Sequence, residues 1–502
     1  MLVASLTVDP AFRIAAVDPR LYGSFVEHMG RCVYTGIYEP DHPTADAAGF
    51  RRDVADLVRG LGVPVLRYPG GNFVSGYDWE DGIGPRDQRP TRLDLAWRSI
   101  ETNQVGIDEF AAWSRGVGSA PMMALNLGTR GVDAARALLE YCNHPGGTYW
   151  SDLRRSNGSA DPHGIKLWCL GNELDGPWQI GHKTAREYAQ LAAETAKAMR
   201  RVDPSIELAA GGSSHSRMPT LGTWEATVLE ETYDLVDYIS IHTYYEQRGA
   251  DRDSFLASGV NLDRFIEAAV ATCDHARAVG RHRKRIHVSV DEWNVWYQSK
   301  FAGEGSLDWE QAPRLIEDTY SIVDAVVVGS LLISLLRHAD RVKIACLAQL
   351  VNVIAPIRTE PGGPAWRQSI YHPFALTSRY ARGTVLRVEP TGPTHETSWL
   401  GEVPTLDATA VIDEEAGAVV LFAVNRHQHQ PLSVDVDLRA CRGLAVGEHV
   451  AMYDEDPDAT NSAARPDRAV PRRLADVKVT DGYASVVLPP LSWNMIRLRA
   501  DR

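Results

Sequence analysis

Ile165-Lys166-Leu167-Trp168-Cys169-Leu170-Gly171-Asn172-Glu173 is an apolar run that ends in an amide and a carboxylate. Val288-Ser289-Val290-Asp291-Glu292-Trp293-Asn294 repeats the arrangement further along. A strand of a parallel sheet is buried on both faces and reads as a near-continuous apolar run. A glutamate just past such a run stands at the C-terminal end of its strand. Working outward from these runs, at 166–170 and 287–290, others occur at 22–26, 65–68, 122–127, 207–210, 238–241 and 344–350. Between them, 53–61, 132–141, 184–202 and 262–279 carry apolar residues at three- and four-residue spacing, the period of an amphipathic helix. Eight strands alternating with helices predict an α/β fold, a (β/α)8 TIM barrel over residues 18–385. A doubly wound sheet is the alternative, but Pro69-Gly70-Gly71-Asn72 fits neither a phosphate loop nor a dinucleotide-binding pattern.

The texture changes after residue 386. Strand-like runs at 405–412, 418–425, 432–438, 449–453 and 484–488 are joined by turn-rich links, with no helical pattern. They predict an antiparallel, jelly-roll-like β-sandwich over 386–502. Residues 2–8 also read as a strand. Pairing with the C-terminal sheet would make residues 1–17 part of that domain.

The chain has 502 residues, 44% hydrophobic and 23% charged, with a net charge of −13. That charge opposes non-specific binding to nucleic acid or an anionic membrane. The six cysteines are scattered without a CxxC pair, as expected of free thiols in a reducing compartment. The N-terminal residues lack a basic region followed by a long apolar one, so a cytoplasmic protein is expected. The most apolar stretch, 322–336, contains Asp324, is too short to span a bilayer and reads as a buried helix.

Polar residues recur just past the predicted strands: Glu27-His28, Asn72, Asn126, Asn172-Glu173, His215, His242-Thr243-Tyr244, Glu292 and Gln349. Taken singly, each is compatible with a helix cap or loop residue. Their recurrence at the C-terminal strand ends is where barrel enzymes build their sites. Two carboxylates presented there suit glycosidic bond cleavage. One protonates the leaving oxygen, and the other attacks or stabilises the sugar cation. Trp168, Cys169 and Leu170 lead into Glu173, and an apolar wall there would raise its pKa. Arg67 and Tyr244 are placed to favour the charged form of Glu292, and a separation of about 5 Å is expected.

Other chemistries fit less well. No HExxH, clustered Cys/His spacing or Gly-x-Ser-x-Gly elbow occurs. Asp454, Asp456 and Asp458 alternate like a calcium loop, but Ala459 stands at the glycine position and Arg465 at that of the bidentate glutamate. His28, His215 and His242 read as hydrogen-bonding partners of substrate or neighbours. Of thirteen tryptophans, Trp97, Trp178, Trp293 and Trp296 fall near predicted loops, whereas Trp168 and Trp493 read as core. Indoles at the mouth would stack on sugar C–H faces, a role favoured for Trp97 and Trp296.

The ordered set Gly23-Ser24-Phe25-Val26-Glu27-His28, Arg67-Tyr68-Pro69-Gly70-Gly71-Asn72, Leu170-Gly171-Asn172-Glu173, Asp291-Glu292-Trp293-Asn294 and Ala348-Gln349-Leu350-Val351-Asn352 resembles the α-L-arabinofuranosidases of glycoside hydrolase family 51. The resemblance covers nearly the whole chain. It implies a barrel with a C-terminal β-sandwich, a retaining double displacement, and no metal or organic cofactor. It implies Glu173 as acid/base and Glu292 as nucleophile. Glu27, Asn72, Asn172, Tyr244 and Gln349 would hold the furanose hydroxyls, Trp97 and Trp296 would flank the leaving group, and Arg67 and His242 would support the carboxylates. The substrate would be an arabinose-containing oligosaccharide, and the enzyme an intracellular homo-oligomer, commonly a hexamer. A glycosidase acting on β-xylosides or β-glucans would reuse both glutamates. A non-catalytic carbohydrate-binding protein on the same barrel is the third reading.

Overall fold

The computed structural model describes residues 1–441, 443–475 and 477–500. Eight strands close a barrel: β1 (Gly23–Phe25), β2 (Val65–Tyr68), β3 (Ala120–Ala124), β4 (Leu167–Leu170), β5 (Glu207–Gly211), β6 (Tyr238–Tyr245), β7 (His287–Val295) and β8 (Val342–Leu347). Each pairs in parallel with the next, and β8 pairs with β1. The fold is the predicted α/β barrel. The strand bounds differ at the site. β6 and β7 run on past 241 and 290, because their polar residues stay in the ladder as far as Tyr245↔Val295. β8 stops at Leu347, short of the predicted 350.

The helices follow the sequence period. Ala185–Val202 buries Tyr188, Ala189, Ala192, Ala196 and Met199 on one stripe. Thr184 and Glu187 cap its first turn reciprocally. Ile322–Arg337 is different: every residue from Ile322 to Leu336 is buried. It lies between β7 on one side and strands Leu406–Asp413, Ala418–Asn425 and Ser492–Ala500 on the other. A helix covered on all sides is apolar all round. Where it meets the C-terminal sheet, Gly329 faces Trp493, and a Cβ there would stand 2.1 Å from the indole Cδ1.

The C-terminal part has two large sheets and a separate hairpin, Thr394–Thr397 with Gly401–Pro404. One runs Arg13–Ala16, Thr384–Leu386, Leu406–Asp413, Ala418–Asn425, Ser492–Ala500, Leu444–Met452, Arg472–Leu474. The other runs Leu2–Thr7, Leu432–Asp437, Tyr483–Leu488, Lys478–Thr480. Leu6, Leu406, Leu421, Val434, Val486 and Leu498 belong to the core formed between these sheets. The expected all-antiparallel arrangement is corrected at one pair: Leu2–Thr7 runs parallel to Leu432–Asp437. Strand Ser492–Ala500, central in its sheet, was not anticipated. Its alternation is broken because Trp493 and Asn494, neighbours on opposite faces, are both buried. Residues 442, 476, 501 and 502 of the predicted sandwich lie outside the described residues.

All six cysteines are buried and free. Asp454 is held by Arg468 and Arg472 rather than facing an open loop. No helix among the described residues is long and apolar enough to cross a membrane.

The Gly329–Trp493 contact sets two effects against each other. Alanine is favoured over glycine inside a helix by about 1 kcal/mol. Overpacking a filled core costs about 1–3 kcal/mol. With backbone and indole both fixed, overpacking wins. Gly329→Ala is expected to lower unfolding free energy by about 1–2 kcal/mol in denaturant titrations.

Candidate active site

The site begins where the chain leaves the strands. Past β4, Gly171 has φ 93° and Glu173 φ 44°, both left-handed. For a non-glycine residue that conformation is strained and persists only where the surroundings fix it. Here the Gly176 N–H donates to the Glu173 carbonyl at 2.9 Å, and two side chains hold the carboxylate. The Trp178 indole N–H donates to Glu173 Oε2 at 2.8 Å, and His242 Nδ1 lies 2.8 Å from Oε1. These polar partners stand where an apolar wall from Trp168, Cys169 and Leu170 was expected.

Glu292 lies on β7. Arg67 Nη1 donates to its Oε1 at 2.6 Å, and the Tyr244 hydroxyl donates to Oε2 at 2.8 Å. Burial first, and then the Glu292 charge, push the Tyr244 phenol well above its usual value, so it remains a donor. Arg67 also donates through Nη2 to Asn172 Oδ1 at 2.7 Å, and its Nε lies 3.6 Å from Asp291. Carboxylate oxygens of Glu173 and Glu292 and a ring nitrogen of His242 all lie within 4.8 Å of one another.

A bulge brings Asp291 and Glu292 to the same partners. Ser240 pairs with Ser289 but His242 with Glu292, so two residues of β7 face one of β6. Successive residues of a regular strand point to opposite faces; here both acids reach Arg67 and His242. Asp291 also accepts from Ser240. Burial alone would raise its pKa, but the Arg67 charge and the His242 hydrogen bond outweigh it and hold Asp291 at about 2. Burial likewise opposes the charge on His242. Glu292, then the hydrogen bonds to Asp291 and Glu173, push its pKa up to about 10. An imidazolium does not ligate a metal, so this cluster is ill suited to hold one at neutral pH.

Glu27 forms the opposite wall. Its Oε1 accepts from Phe73 N at 3.0 Å and Trp97 Nε1 at 2.9 Å, and its Oε2 from Gln349 Nε2 at 3.1 Å. The Gly70-Gly71 pair is required for this approach, because a Cβ on either would stand 2.8 Å from the Glu27 side chain. Burial, reinforced by the charge of Glu292, raises Glu27 to about 8.

These groups surround a cavity of about 310 Å³. Glu27, Asn72, Trp97, Glu173, Tyr244, Glu292, Trp296 and Gln349 line it, as do Trp178 and His215. Asn172 does not; it holds Arg67 from beneath. Asn126 caps its own turn, accepting from the backbone of Gly128, Thr129 and Arg130. His28 is locked between Glu101 and Tyr68. Trp293, placed near a loop from sequence, is fully buried and packs on Phe374. The sequence pattern assigns no role to Asp291 or Ser240 and does not link Trp178 to Glu173. Its one available signal was the acid adjacent to Glu292, since a second carboxylate in a buried strand needs a partner.

Asp291 is depressed below its unfolded value of about 3.8. Its contribution is therefore present above that pH and lost as pH falls through about 2. Asp291→Asn is expected to lower unfolding free energy by about 3 kcal/mol at neutral pH. Denaturant titrations down the acid range should show the gap between the two proteins closing as pH approaches about 2.

Comparison with known proteins places the chain. Residues 57–261 match the α-L-arabinofuranosidase 1 domain and residues 291–492 the α-L-arabinofuranosidase C-terminal domain. An intracellular exo-α-(1→5)-L-arabinofuranosidase of Streptomyces lividans is 59% identical over 500 residues, covering 99% of this chain and 75% of that protein. One from Bacillus subtilis is 54% identical, covering 99% of each. The structure of a family 51 α-L-arabinofuranosidase from Bifidobacterium longum superposes with a TM-score of 0.95 at 47% identity, covering 99% of this chain and 100% of that one. The chain belongs to the α-L-arabinofuranosidases of glycoside hydrolase family 51.

Proposed function

We propose that the protein releases terminal non-reducing α-L-arabinofuranosyl residues from arabinan- and arabinoxylan-derived oligosaccharides by a retaining double displacement. The observation that carries this is the spacing of Glu173 and Glu292, with carboxylate oxygens within 4.8 Å. Inverting enzymes hold their carboxyl groups farther apart, to admit a water. Glu292, oriented by Arg67 and Tyr244, attacks the anomeric carbon. Glu173 gives its proton to the leaving oxygen, then takes one from the water that releases the sugar. Trp178 and His242 fix where that carboxyl group points.

Glu27, Asn72 and Gln349 face the sugar hydroxyls, and Trp97 and Trp296 flank the ring and the leaving group. Asn172 acts through Arg67, aligning the guanidinium that aligns Glu292. The reading extends to a cytoplasmic enzyme, supported by relatives named as intracellular. It extends also to a homo-hexamer, which rests on the family resemblance.

Glu292→Ala is expected to lower kcat on 4-nitrophenyl α-L-arabinofuranoside by about three orders of magnitude or more. Added azide should restore turnover, releasing the glycosyl azide of inverted configuration. Full activity without Glu292 would refute the assignment. The unaltered protein should prefer the arabinofuranoside to 4-nitrophenyl β-D-xylopyranoside, and the reverse preference would keep the mechanism but change the substrate.

A further inference from the structure

A second cavity, of about 430 Å³, adjoins the catalytic one. The two share His215, Arg217, Tyr244, Trp296 and Gln298 as walls. Its direction follows from one stack. His215 lies on Trp178, ring centroids 6.0 Å apart, and Trp178 donates to Glu173. Through His215 and Trp178 the second cavity is linked to Glu173, the acid that would meet the leaving oxygen. A chain attached through that oxygen would pass His215 to enter it.

The far wall comes from the C-terminal part, through the hairpin Thr394–Thr397 and Gly401–Pro404. Its turn is anchored on both sides of Trp399. The Ser398 hydroxyl donates to Asp251, and the Trp399 backbone N–H donates to Ser254 Oγ at 3.3 Å. Leu400 is buried with Ala257 and Val403. Between these anchors Trp399 is 48% exposed on the cavity wall. Fixing the backbone beneath it removes part of the ordering cost of binding. An indole offers an apolar face to sugar C–H groups, while Glu246, Arg248 and Asn261 supply polar groups for hydroxyls.

We propose that this cavity binds the distal sugars of the leaving chain, with Trp399 stacked on one ring, and that it sets the preference for substrate length. The proposal rests on the reading of Glu173 as acid/base. The test compares kcat/KM on the series arabinobiose to arabinopentaose with that on 4-nitrophenyl α-L-arabinofuranoside, whose leaving group carries no further sugar. Efficiency should rise along the series. In Trp399→Ala the ratio of arabinotetraose to aryl glycoside efficiency should fall about fivefold through KM, equivalent to about 1 kcal/mol. Trp399→Phe should retain most of that ratio. A wild-type efficiency that ignores chain length, or a ratio unmoved in Trp399→Ala, overturns the distal subsite while leaving the hydrolysis intact. Inactivity of the unaltered protein on every arabinofuranoside overturns the reading of the site and this proposal with it.

Discussion

Arg67 carries a guanidinium into the barrel interior, where it is 1% exposed. A charge removed from water at that depth is tolerated only if paired and hydrogen-bonded. Its three partners come from two places in the barrel: Asn172 past β4, and Asp291 and Glu292 on β7. Arg67 itself sits on β2, its guanidinium 4.9 Å from the Phe25 ring of β1. Compensating one cation thus ties the C-terminal ends of separate strands together. The location of Glu292 is the geometric result of that compensation.

His242 repeats the logic one step outward. Its two ring nitrogens lie against Asp291 on one side and Glu173 and Glu292 on the other. Cations and carboxylates alternate around the site, and Asp291, the most deeply bonded of the acids, touches both cations. Glu27 stands apart from this alternation. Its partners are neutral N–H donors, and burial with the nearby Glu292 charge raises its pKa to about 8. The left-handed backbone at Glu173 is held from outside by the same system, since His242 and Trp178 fix the side chain and leave the main chain no easier path.

The barrel was legible because its strands are buried on both faces. Runs such as Leu167-Trp168-Cys169-Leu170 admit few other readings. The two glutamates were legible for the same reason, as charges just past such runs. What escaped was whatever broke the simple period. The bulge on β7 hides in Val290-Asp291-Glu292, where a regular strand would send the two acids to opposite faces. Asn172 reads from sequence as a substrate contact, and nothing there shows that an arginine far upstream also bonds its oxygen. Trp493 was legible as core from its apolar surroundings, whereas the strand that carries it was not, because Asn494 beside it is buried too.

The pairing of Leu2–Thr7 with Leu432–Asp437 constrains how the chain is assembled. On a ribosome the first strand emerges long before its partner exists. It must wait, with an unpaired edge and apolar residues such as Leu6, until most of the barrel has been made. Contacts so distant in sequence form late and slow folding. The barrel also closes late, since β1 pairs with β8. The opening residues thus spend synthesis as an aggregation-prone edge strand.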